Sequence, residues 1–158
     1  MRLQRFFELR RARDGVSTVE FAFVSAILCI LTLGVVDFGF GFWQSMQVQN
    51  AAQAGAQYAM INPGSSNTSI SSAVTSATGL TGITVATGYP QTSCGCPTGS
   101  TTSPTGMTWG VTCGSVCGVG GTAQTYKLIR AQKSYSTFMT WPGLSNPMTL
   151  TATAYTMD

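Results

Sequence analysis

The sequence predicts an α+β fold: a long N-terminal helix, membrane-spanning and then stalk-like, packed into a small antiparallel β-sheet held by disulfides. Three observations carry this reading. An uncharged apolar run of helical length opens after Glu20, a Gln- and Ala-rich amphipathic stretch continues it to Ile61, and short β-branched segments with two cysteine pairs follow.

The run Phe21-Ala-Phe-Val-Ser-Ala-Ile-Leu-Cys-Ile-Leu-Thr-Leu-Gly-Val-Val36 carries no charge and is followed by Asp37 and by Phe38-Gly-Phe-Gly-Phe-Trp43. About 20 such residues at roughly 1.5 Å each cross a hydrocarbon core of about 30 Å. A single span must be helical, because lipid offers no partner to open backbone groups. Five of the eight basic residues (Arg2, Arg5, Arg10, Arg11, Arg13) precede Gly15 with two acids, whereas residues 16–158 hold three bases and three acids and are neutral. This asymmetry places the N-terminus in the cytoplasm and the rest across the membrane. The lipid bilayer is thus one expected partner, with Phe40, Phe42 and Trp43 at its outer interface.

No residue is charged between Phe38 and Tyr126, and the chain has no histidine. A folded domain without a basic stripe predicts no nucleic-acid partner. Lacking the commonest base and metal ligand, with no Ser-x-x-Lys or Gly-x-Ser-x-Gly motif, the chain is expected not to be an enzyme and to need no cofactor or metal. Only Lys127 or Lys133 stands where a base for a Ser or Thr nucleophile would be needed.

The apolar run is longer than a signal-peptide core, and the small residues Ala51–Ala56 lie too far beyond it for an ordinary signal cleavage site. Cys29 follows Leu28 where a lipobox requires a small residue, so it reads as an apolar membrane residue. A third possibility is a cut before the run, between Gly15 and Val16. The stretch Gly15-Val-Ser-Thr-Val-Glu20-Phe21 resembles a type IV prepilin cleavage site. The resemblance implies that a prepilin peptidase cuts after Gly15, making Glu20 the fifth residue of the mature chain. It further implies that the Glu20 carboxylate pairs with the amine of a neighbouring subunit. A carboxylate at a membrane edge is costly unless it is offered such a cation. The competing reading is an interfacial acid that only marks where the span begins. Asp37 lies about 24 Å along the helix from Phe21, as either a solvated carboxylate or a polar contact to a partner helix.

Beyond Trp43, Met46, Ala54, Tyr58 and Ile61 recur at helical spacing, with Val48, Ala51 and Ala52 widening the stripe, until Pro63-Gly64 stops the helix. The expected organisation is a cytoplasmic leader over 1–15, a transmembrane helix over 16–43, a helical stalk over 44–62 and an exported β-rich domain over 63–158. In that domain Ile70, Ala73, Val74 and Ala77 predict a short helix ended by Gly79, while Ile83–Tyr89 and Thr108–Thr112 read as strands. Tyr126–Tyr135 reads as a longer strand, and Met148–Met157 alternates most cleanly, with Trp141–Pro147 the loop between them.

Cys94-Gly-Cys96 and Cys113-x-x-x-Cys117 lack zinc-knuckle spacing, and an exported domain favours disulfides. A C-x-C bridge closes too tight a ring, so each cysteine is expected to cross to the other pair. Cys94–Cys113 with Cys96–Cys117, and Cys94–Cys117 with Cys96–Cys113, both remain open.

Taken in order, Gly15, Val19-Glu20-Phe21-Ala22, Val36-Asp37-Phe38-Gly39, Gln49-Asn50-Ala51-Ala52 and Gly55-Ala56-Gln57-Tyr58-Ala59 resemble the TadE-like minor pseudopilins of the Tad (tight adherence) Flp type IVb pilus. Members often carry basic residues where this chain has Gln53 and Gln57. The resemblance implies an inner-membrane protein with a periplasmic C-terminal domain, whose partners are other pilins or pseudopilins and the Tad assembly proteins. It assigns recognition and assembly to Glu20, Phe21 and Asp37, and implies disulfides among Cys94, Cys96, Cys113 and Cys117. The alternative is an uncleaved single-span binding module.

Overall fold

The computed structural model describes residues 2–100 and 103–157, with side chains described over 17–99 and 106–157. Helix α1 runs unbroken over Arg2–Ile61, α2 over Asn67–Ser76, and five strands follow: β1 (Thr84–Val85), β2 (Gln91–Ser100), β3 (Ser103–Trp109), β4 (Gln124–Tyr135) and β5 (Met148–Met157). The chain divides into two compact units, Met1–Phe40 and Gly41–Asp158.

In the first unit, most of the apolar segment of α1 is exposed. Phe21, Phe23, Ile27, Leu28, Leu31 and Val35 are all more than half exposed. Such a surface is unfavourable in water and suits lipid. The hydroxyls of Ser25 and Thr32 donate to the Ala22 and Leu28 carbonyls at 3.0 and 2.7 Å, so neither leaves a polar group unpaired in an apolar setting.

The second unit begins with the stalk segment of α1. Val48, Ala51, Ala52, Ala56 and Ala59 form its buried face and meet Ile70 and Val74 of α2, Ile83, and Ile129 and Ala131 of β4. Of the predicted stripe, Val48, Ala51 and Ala52 are buried and Tyr58 packs against the core, whereas Met46 and Ile61 point outward, at 56% and 75% exposure. Small residues win this face because helix and sheet approach closely. A Cβ at Gly55 would collide with the Val74 side chain and come within 3.2 Å of Ile129 Cγ2.

The sheet is antiparallel throughout. β4 is its centre, pairing along one side with β1 and β2 and along the other with β5, while β3 extends the sheet from β2. β4 and β5 pair over ten consecutive residues, from Tyr126↔Met157 to Tyr135↔Met148. The alternation expected for Met148–Met157 holds, with Leu150, Ala152 and Ala154 packed against the core.

Two strands differ from expectation. Ile83–Tyr89 shrinks to Thr84–Val85, since the Tyr89 N–H closes a turn onto the Ala86 carbonyl at 3.0 Å with Gly88 at φ +83°. The strand read at Thr108–Thr112 lies earlier and ends at Trp109, where Gly110 adopts φ +77°. β2 was not anticipated, because its Cys-, Gly- and Pro-containing sequence has weak strand preference. Pairing with β4 and β3 makes it a strand. Helix α2 starts at its Ser66 cap, whose hydroxyl accepts from the Ser69 N–H at 3.2 Å, and ends at Ser76, ahead of the expected stop at Gly79.

Candidate assembly surface

Glu20 and Asp37 are the two acids of the apolar helix, and they occupy opposite environments. Glu20 is exposed, whereas Asp37 is buried to 1% exposure. Seventeen residues of helix separate them by about 26 Å. Phe21, beside Glu20, is 71% exposed and lies on the open apolar surface. Gly15 and Val16 are within α1, and their backbone is helical. Val16, Ser17 and Thr18 have modest helix preference and Gly15 a poor one, so this is an intrinsically weak stretch of the helix. Cys29 is a free, exposed thiol on the same helix.

In the second unit, Cys94 bonds to Cys113 and Cys96 to Cys117, with Cα separations of 5.2 and 5.5 Å. The structure thus selects the first of the two crossed patterns. Cys94, Cys96 and Cys117 form a small second core with Ala123, capped by Val111. Among the described residues no three His, Cys, Asp or Glu side chains come together as a metal site.

The two lysines that the sequence offers as bases donate to backbone carbonyls. Lys127 Nζ donates to the Ser65 carbonyl at 3.5 Å, and Lys133 Nζ donates to the Thr81 carbonyl. These carbonyls flank α2 on either side, so β4 clips both approaches to the short helix.

One face of the sheet carries an aromatic row. Trp109 stands edge-on to Tyr126 and to Tyr155, with ring centroids 5.5 and 5.4 Å apart. Tyr126 and Tyr155 complete the triangle at 6.3 Å. The row exists because Gly95 has no side chain: a Cβ there would lie 2.9 Å from both Cε3 and Cζ3 of Trp109. Arg130 of β4 lies over the ring of Tyr89, in the connection between β1 and β2, at 5.8 Å. Sequence reasoning missed this row, since Trp109, Tyr126 and Tyr155 are distant in the chain and only strand register unites them.

A groove of about 370 Å³ runs between the stalk and the rim of β5, lined by Gln49, Gln53, Gln57 and Met60 on the helix and by Thr153–Thr156 on the strand. Every residue lining it is uncharged.

No curated protein and no solved structure matches the chain. The family model for TadE-like protein does match, over residues 15–57. That interval starts at Gly15, contains Glu20 and Asp37, and ends just past the Gly55 contact, so the likeness to TadE-like protein covers the apolar segment and most of the stalk segment of α1.

Proposed function

We propose that this protein is a minor pseudopilin of the Tad (Flp type IVb) pilus assembly machinery, matured by a prepilin peptidase that cuts between Gly15 and Val16. The observation that carries the reading is the TadE-like match over residues 15–57, which begins at the proposed cut and covers the apolar helix. A TadE-like identity associates the chain with the Tad pilus and implies contacts with other pilus components.

The chemistry of the helix supports the finer assignment. Among the described residues one helix is long and apolar enough to cross a membrane, and the basic residues ahead of it favour an N-terminus held in the cytoplasm. The weak helix formers around Gly15 ease the local unwinding that a protease needs. Once Val16 is freed, its ammonium offers the Glu20 carboxylate of a neighbouring chain a partner inside the membrane edge, where an unpaired acid is costly. The sheet domain then stands in the periplasm, an oxidising compartment that suits its two disulfides.

The test is the N-terminus of membrane-extracted protein from cells with and without the peptidase. A Val16 terminus that depends on the peptidase is expected. An intact Met1 beside active enzyme would reject maturation and leave an uncleaved, membrane-anchored binding module.

A further inference from the structure

Strand β4 and the stalk run past each other in opposite directions. Gly55 of the stalk meets Ile129, and a Cβ on Gly41 would lie 3.3 Å from Tyr135 Cε1. From Gly41 to Gly55 the helix rises about 21 Å, and from Ile129 to Tyr135 the strand rises about 20 Å, so the two contacts keep step. β4 therefore ends level with Gly41, where the chain enters this unit one peptide bond after Phe40. The connection to β5 opens at that same end.

This connection, residues 136–147, carries apolar side chains outward. Phe138, Met139 and Leu144 are 77%, 39% and 43% exposed, and Trp141, between them in sequence, is half-buried. No residue from Ser134 to Met157 is charged. Its own hydrogen bonds hold the loop in shape. The Leu144 N–H closes a turn onto the Trp141 carbonyl at 3.2 Å, with Gly143 at φ +83° as the third residue of a type II turn requires. The Thr137 hydroxyl donates to the Met139 carbonyl at 2.6 Å, and the Asn146 amide donates to the Thr137 carbonyl at 3.4 Å. These bonds occupy backbone carbonyls that would be costly to bring unpaired toward lipid.

We propose that the β4–β5 connection is a second membrane contact, with Phe138, Met139, Trp141 and Leu144 seated in the interfacial zone of the bilayer that α1 crosses. The loop lies at the end of the unit that the apolar segment joins, so the bilayer is within reach by chain continuity alone. Trp and Phe among Pro, Ser, Thr and Asn suit the headgroup boundary, where amphipathic rings sit. A loop without charge offers a protein partner no electrostatic complement by which to be selected. The proposal rests on the reading that α1 spans a membrane, and not on the pilus assignment.

The test uses the full chain in phosphatidylcholine nanodiscs whose acyl chains carry bromine either near the headgroups or near the midplane. Bimane on the free thiol of Cys29 reports the apolar segment, and midplane bromine is expected to quench it. With Trp43 and Trp109 replaced by Phe, emission comes from Trp141 alone. Headgroup-level bromine is expected to remove about half of that emission and midplane bromine much less, as for an interfacial ring. Trp109, alone in a Trp43→Phe, Trp141→Phe chain, should lose none, since it packs on Tyr126 at the far end of β4. Phe138→Ser with Leu144→Ser is expected to release most of the Trp141 quenching. If Trp109→Phe does not fold, as judged by near-ultraviolet circular dichroism, methionine oxidation of the unsubstituted chain takes its place. Met139 is then expected to oxidise several-fold more slowly than Met157, a wider gap than exposures of 39% and 59% give. Quenched bimane with unquenched Trp141 overturns the loop contact and leaves α1 as the anchor. Unquenched bimane overturns the spanning reading and the proposal with it. Trp141 emission that shifts to the blue without lipid quenching, and only in discs holding two chains, assigns the loop to a second copy and overturns lipid as its occupant.

Discussion

Gly55 of the stalk and Ile129 of β4 meet so closely that a Cβ on Gly55 would lie 3.2 Å from Ile129 Cγ2, and closer still to Val74. Helix, short helix and sheet come together at this point. Ile129 and Val74 are among the largest fully buried side chains of the domain, and protein interiors are close-packed.

Gly55→Ala is therefore expected to destabilise the domain by about 1–3 kcal/mol, the cost of overpacking a closed core. Gly39→Ala is the control, because a Cβ there meets nothing within 4 Å. In an exposed helix that change is neutral or favourable by up to about 1 kcal/mol. Urea unfolding of the detergent-solubilised chain, followed by near-ultraviolet circular dichroism, separates the two. Equal midpoints would show that the close approach does not exist.

Gly95→Ala should displace Trp109 from its place beside Tyr126 and Tyr155, at a similar cost of about 1–3 kcal/mol. With Trp43 and Trp141 replaced by Phe, the fluorescence of Trp109 reports its surroundings alone. A red-shifted emission is expected on substitution. An unchanged spectrum would mean that the indole does not rest on Gly95.

Each disulfide closes a loop of about 20 residues and stabilises by about 3 kcal/mol in the chain-entropy model. The pairing is read by removing cysteines two at a time. Cys94→Ser with Cys113→Ser should leave Cys96–Cys117 intact and show no thiol beyond Cys29 on maleimide labelling. Cys94→Ser with Cys117→Ser should expose two further thiols. The opposite pattern would establish the other crossed connectivity.

If the chain matures and assembles as proposed, Glu20→Ala should leave cleavage after Gly15 intact while abolishing incorporation into the assembly. Glu20→Asp should restore part of the incorporation. Pilus output equal to that of the parent in the alanine variant would remove Glu20 from the assembly surface.

Much of this molecule is legible in the chain itself. The uncharged run after Glu20 has one solution in lipid, since an apolar environment satisfies backbone groups only through a helix. Met148–Met157 and Tyr126–Tyr135 declare themselves by β-branched and aromatic content, and Pro63-Gly64 marks the helix end to within two residues. The crossed nature of the disulfides follows from the tightness of a C-x-C ring.

Tertiary packing decided the rest. The buried face of the stalk belongs to Val48, Ala51, Ala52, Ala56 and Ala59 rather than to Met46 and Ile61, because a sheet approached at Gly55 admits only small side chains. β2 became a strand because β4 and β3 supply partners that its own residues do not advertise. The choice of Cys113 for Cys94 and the row of Trp109, Tyr126 and Tyr155 both depend on which strands lie side by side. Local sequence sets what each segment prefers, and register between distant segments sets what their side chains meet.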